Sequence, residues 1–174
     1  MITIICGTNR DGNNTSIFVD YCEKLLKSKT DEEISILKLK DLPDDFAFKN
    51  EVYGNAAPEF TRLIDEKVES AEKFVIISPE YNGGFPGVMK TFIDAVKPPR
   101  FRGKKITLIG VSAGKSGNER GMDQLTAVAN YLKMTVMPFK PAISNINNML
   151  TDREITDDKT RNMLDDHLSN FVEF

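Results

Sequence analysis

The sequence holds one histidine and two cysteines in 174 residues. That scarcity removes most metal chemistry, because a structural metal site needs several grouped His or Cys ligands. Cys6 ends an apolar run and Cys22 falls on the apolar stripe of the next helical pattern, so both read as small core residues, not a disulfide framework. His167 lies on a charged C-terminal helical segment with no second ligand nearby. It reads as a solvated surface residue, and no nucleophile triad can be built around it. A long basic arm is also missing, and the formal net charge of −3 gives a nucleic-acid partner little electrostatic support. No apolar run reaches membrane-spanning length. The opening MITIIC is too short for a signal-peptide core and has no charged flank. A cytoplasmic protein with neither a membrane nor a nucleic-acid partner is expected, and no internal repeat or low-complexity tract competes with a single domain over residues 1–174.

What is present is alternation. Apolar runs of strand length occur at 2–6, 34–39, 74–78, 106–112 and 134–138. Between them lie helical stripes: Phe18, Tyr21, Cys22, Leu25 and Leu26; then Phe60, Leu63, Ile64, Val68 and Ala71. Stripes at 85–96 and 122–132 follow, and a last one carries Leu164, Leu168, Phe171 and Val172, with Thr151 and Glu154 spaced as a capping box before it. Several strands are nearly continuous in apolar character, as they are when helices cover both faces of a parallel sheet. The class is doubly wound α/β. In that class ligands sit beyond the carboxyl ends of the strands, so the loops after strands one, three and four are where chemistry belongs.

The first loop, CGTNRDGNNTS, has the glycine spacing of a P-loop at Gly7 and Gly12, but Asn13 and Asn14 stand where the triphosphate reading needs Lys and Ser or Thr. The run 110–116, GVSAGKS, has the Gly-Lys-Ser ending but is one residue short, and the dinucleotide G-x-G-x-x-G spacing fails as well. What remains is a dense set of donors at a helix start, suited to a single terminal phosphate or to a plain polar cap. The loop after strand three, SPEYNGGFPG, has Pro79 to stop the strand, Gly83 and Gly84 to allow positive φ and close backbone approach, and Pro86 to start a helix. The loop after strand four is again small and glycine-containing. Three such loops on one edge describe a planar ligand held mainly by backbone.

GTNRDGNNTS together with PEYNGGFPGVMKTFIDAV resembles the NADPH-dependent FMN reductase family of flavodoxin-like proteins. The resemblance implies a five-stranded parallel sheet of order 2-1-3-4-5 with helices on both faces. It places the FMN phosphate on Thr8, Arg10, Asn14, Thr15 and Ser16, and the isoalloxazine against Pro79, Glu80, Tyr81, Asn82 and Gly83, with Ser112, Ala113 and Gly114 at its other edge. Two departures from the commoner family pattern are Asn13 and Gly84, where relatives often carry Ser. The implied activity is oxidoreduction: NADPH or NADH reduces bound FMN, which passes electrons to a small acceptor such as free flavin, a quinone or an azo compound. An FMN-binding electron carrier or partner-controlled regulator without significant nicotinamide turnover is the alternative. The resemblance further implies a homodimer or homotetramer. Two stretches stay open: the basic run 97–105, either a solvated connector or a contact to a nucleotide phosphate or a neighbouring subunit, and the long segment 41–58 with Phe46, Phe48 and Tyr53, either a cover for the flavin or a packing surface.

Overall fold

The computed structural model describes residues 1–174. Its centre is three parallel strands, β1 (Ile2–Cys6), β3 (Lys73–Pro79) and β4 (Lys105–Val111), buried along nearly their whole length. β2 (Ile34–Lys38) flanks β1 and alternates buried with half-buried residues, as an edge strand does. The short β5 (Thr135–Val136) lies beyond β4, giving the order β2-β1-β3-β4-β5. Because β1 sits between β2 and β3, the winding direction reverses there, and a crevice opens beyond the carboxyl ends of the strands.

Helices cover both faces, which is why β1, β3 and β4 are mostly apolar. On one face α1 (Thr15–Lys29) and α5 (Asp158–Glu173) bring Phe18, Cys22, Leu26, Leu164 and Phe171 onto Ile4, Val75 and Ile109. On the other, α2 (Pro58–Ile64, continued by a π-turn to Glu69), α3 (Gly87–Ala95) and α4 (Glu119–Tyr131) pack Phe60, Phe92 and Leu125 onto Phe74 and Leu108. Cys6 and Cys22 are both free and buried. No helix is long and apolar enough to cross a membrane.

Three sequence expectations change. The fifth strand is not continuous over 134–138: after β5 the chain detours between Pro138 and Pro141 and returns as β6 (Ala142–Ile143), which also pairs with β4. Proline has no N–H to give to a ladder, so the two prolines bracket the break. The capping box also dissolves, because Thr151 and Glu154 face one another in a small antiparallel hairpin of β7 (Leu150–Thr151) and β8 (Glu154–Ile155). The cap of α5 is Asp157, whose carboxylate accepts from the Thr160 N–H at 2.7 Å.

The third change concerns His167, which is buried, at 2% exposure, and not a surface residue. It joins Leu164, Leu168 and Phe171 on the inner face of α5, and its Nε2 lies 2.7 Å from the Thr107 hydroxyl on β4. The basic run 97–105 is largely occupied in holding the fold. Arg100 pairs with the buried Glu51 at 2.5 Å and with Asp65 at 2.8 Å, which ties down the segment before α2. Lys104 donates to the Val68 and Glu69 carbonyls. Within 41–58, Phe46 is buried against Phe60, whereas Phe48 and Tyr53 are exposed.

Burial pushes the His167 pKa down to about 4. An unfolded chain takes up that proton near pH 6.5, so stability is full above this value and is lost as pH falls toward 4. Urea unfolding should therefore lose about 2 kcal/mol between pH 7 and pH 5 through this residue alone. In His167→Gln, which can keep the bond to Thr107, the dependence over that interval should flatten; an unchanged slope assigns it to other groups.

Candidate functional site

Beyond the strand ends, the loops after β1, β3 and β4 meet with the segment after β6 around a cleft of about 480 Å³. One end is polar. Arg10, Gly12, Asn13, Asn14 and Thr15 line it at the start of α1, where helix N–H groups and the dipole favour negative charge. The capping side chain is Asn13, one residue earlier than the geometric cap: its Oδ1 accepts from the Ser16 N–H at 2.9 Å and its Nδ2 donates to the Arg10 carbonyl at 2.7 Å. This closes the loop on itself. The N–H groups of Gly12, Asn13, Asn14 and Thr15 make no hydrogen bond within the chain and remain available to an anion. Asp11 points away, 97% exposed, with Lys40 as its partner.

The other end of the cleft is built from backbone. Tyr81 and Gly84 exchange both N–H···O=C bonds, at 2.9 and 3.1 Å, across Asn82 and Gly83, whose φ values are 52° and 77°. This is the two-residue hairpin turn with positive φ at both central positions, for which Asn-Gly is the preferred pair. The base of the hairpin is fixed by the Glu80 N–H, which donates to the Val111 carbonyl at 3.0 Å. Pro79, Glu80, Tyr81 and Asn82 then face Val111, Ser112 and Ala113 across the cleft. The Ser112 hydroxyl donates to the Gly114 carbonyl and accepts from the Gly117 N–H, both at 2.9 Å, and the Ser116 hydroxyl donates to the Glu80 carboxylate. The N–H groups of Asn82 and Ala113 have no partner in the chain.

Tyr81 joins the two ends. Its hydroxyl lies 2.7 Å from the Thr8 hydroxyl, which also accepts the Arg10 N–H, and the Arg10 guanidinium stacks 4.7 Å above the Tyr81 ring.

Of the thirteen residues singled out from the sequence, Arg10, Asn14, Thr15, Pro79, Glu80, Tyr81, Asn82, Ser112 and Ala113 line this cleft. Four others stand elsewhere. Thr8 is fully buried beneath Tyr81, Gly83 forms the hairpin tip, and Gly114 turns its carbonyl to Ser112 and Asn145. Ser16 faces a separate cleft of about 270 Å³ together with Asp20, Lys38, Lys40 and Arg153. Gly12, Asn13, Val111, Ile146 and Asn147 complete the lining of the main cleft. Asn147 follows the last strand of the sheet and holds the Asn14 amide at 3.3 Å, so extending the search to every loop at the carboxyl edge would have found it.

The model of the NADPH-dependent FMN reductase family matches residues 1–148. An NAD(P)H-dependent FMN reductase of Schizosaccharomyces pombe is 36% identical over 86 residues, which is 49% of this chain and 42% of that protein. The chain thus spans under half the length of that relative. A Pseudomonas aeruginosa NAD(P)H-dependent FMN reductase is 29% identical over 76% of this chain and 74% of its own length. Among solved structures, a Paracoccus denitrificans flavoenzyme NAD(P)H:(acceptor) oxidoreductase superposes with a TM-score of 0.81 at 24% identity, over 99% of this chain and 94% of that one. Megasphaera elsdenii flavodoxin superposes at 0.62 with 19% identity, covering 98% and 99%. These two likenesses establish a flavodoxin-like fold. With a family match over most of the chain and a cleft at the switch point of that fold, the chain belongs to the NADPH-dependent FMN reductase family, oxidoreductases that use FMN and NAD(P)H.

Proposed function

We propose that this chain binds FMN in the cleft and reduces a second small acceptor with electrons from NAD(P)H. The observation that carries the reading is the division of the cleft into an anion end and a backbone end. Free N–H groups from Gly12 to Thr15 together with Arg10 match a terminal phosphate, and the walls at 79–82 and 111–113 match a flat ring system. A volume of about 480 Å³ falls within the range of cofactor sites. The bound flavin would supply the two-electron chemistry. The protein residues bind and orient: the loop at the start of α1 anchors the phosphate, and the hairpin and the Ser112–Ala113 backbone present N–H groups to the ring edge.

Nucleotide and acceptor would use the same opening in turn, which makes the kinetics ping-pong. Relatives named as quinone reductases and an FMN-dependent NADPH-azoreductase support quinones and azo compounds as acceptors, beside free flavin. We also propose a homodimer or homotetramer. Its support is the exposed Phe48, Val52, Tyr53 and Tyr131, with Val52 and Tyr131 lining one groove beside α3 and α4.

Anaerobic mixing with NADPH or NADH should bleach the bound flavin within seconds, at least as fast as turnover, and a quinone should restore the colour. Bleaching by dithionite alone would transfer the reading to an electron carrier. Arg10→Ala should weaken FMN about tenfold while leaving riboflavin nearly unchanged, since a charge-assisted bond contributes about 1.5 to 3 kcal/mol. Equal losses would separate Arg10 from the phosphate. Gly83→Val forces a β-branched residue into positive φ, so flavin should be lost from a protein that remains folded by circular dichroism; full occupancy would remove the hairpin from the site.

A further inference from the structure

Asn118 belongs to none of the motifs read from the sequence and does not line the cleft, yet its backbone and side chain are both held tightly beside it. It sits at the start of α4 with φ 65° and ψ 29°, a left-handed conformation that a non-glycine residue adopts at a cost, and it is wholly buried. Its side-chain amide points into the end of β3. The Nδ2 group lies 3.0 Å from the Ser78 carbonyl, 3.1 Å from the Pro79 carbonyl and 3.2 Å from the Ser78 hydroxyl. Two carbonyls can only accept, so the NH₂ group must face them. Its Oδ1 has no partner. An unpaired buried oxygen costs stability, so packing alone does not account for an amide here.

The two carbonyls are those of the last residues before the hairpin. Asn118 therefore grips the loop after β3 from the loop after β4, at the point where the backbone leaves the sheet and turns into the cleft. A second thread runs parallel: the Asn118 N–H donates to the Ser116 hydroxyl at 3.3 Å, and that hydroxyl donates to the Glu80 carboxylate. The first turn of α4 is shaped around this grip. A Cβ on Gly121 would stand 2.1 Å from Asn118 Oδ1 and 2.7 Å from the Phe85 nitrogen, so only glycine fits there.

We infer that Asn118 is the positioning residue for the flavin-ring wall: its amide, donating to the Ser78 and Pro79 carbonyls, sets the distance between the hairpin and the Ser112–Ala113 backbone. It acts through those loops and touches no ligand. The inference rests on the FMN reading and adds a prediction that the reading does not make. Because Asn118 acts at the ring end, its loss must weaken FMN and riboflavin by the same factor, unlike changes in the phosphate loop.

The variants are Asn118→Asp and Asn118→Gly, each titrated with FMN and with riboflavin by flavin fluorescence quenching, with folding followed by circular dichroism. Aspartate keeps the shape and replaces the donor by a carboxylate; glycine keeps the left-handed backbone without strain and removes the donor altogether. At pH 8 both should bind FMN and riboflavin about tenfold more weakly than the parent chain. Lowering the pH to 6 should recover affinity in Asn118→Asp only, since a protonated carboxyl again donates and burial among carbonyls raises its pKa. Glu80, reached through Ser116, reinforces that rise, and Arg120, on the first turn of α4, opposes it. Affinities within twofold of the parent, or a loss confined to FMN, would overturn the inference while leaving the FMN reading intact. A glycine variant that fails to fold would overturn it too, by making Asn118 a determinant of the fold. A parent chain that binds neither flavin would instead remove the functional reading itself.

Discussion

A parallel sheet covered on both faces by helices leaves backbone polar groups outside the ladder where its strands end, and the carboxyl edge is the end that faces the cleft. There the connecting loops must satisfy their own N–H and C=O groups or leave them to a ligand. The structure does both. Asn13 closes the first loop and Ser112 closes the third, each with its own side chain, while N–H groups at 12–15, 82 and 113 are left pointing outward. The reversal of winding at β1 separates the loops just enough for these free donors to surround a cleft.

Features written as local pattern were readable without coordinates. The apolar runs located all five sheet positions, and the positive φ expected of the glycine pair is met at Gly83, although its companion is Asn82 and not Gly84. What escaped depends on partners far along the chain. His167 completes the spacing of Thr160, Leu164, Leu168 and Phe171, but a polar side chain among acidic neighbours hides its place on the stripe until Thr107 is seen opposite it. Thr151 and Glu154 have the right spacing for a cap, but Asp157 offers a carboxylate closer to the helix and takes that role. Asn118 is the extreme case. Nothing within ten residues of it marks it out, since its three acceptors lie 39 and 40 positions earlier.

The same distance effect explains the basic run. Five positive charges in nine residues leave open a solvated connector or a contact to a nucleotide phosphate or a neighbouring subunit, but Arg100 is drawn down onto Glu51, a carboxylate only 6% exposed. A buried carboxylate is tolerated only with a partner, so the guanidinium and the segment it restrains come as a unit. The tether holds the middle of the 41–58 stretch on the body of the protein, while Phe48 and Tyr53 on either side of Glu51 stay exposed.

Edges of sheets are templates, and an uninterrupted outer strand invites a second chain to add to it. Beyond β4 the outer rim consists of two pairs of residues, separated by a detour in which Pro138 and Pro141 offer no donors and Lys140 is held to Asp123. No stretch of that rim is long enough to nucleate intermolecular pairing. The broken fifth strand thus works against aggregation and domain exchange along that edge.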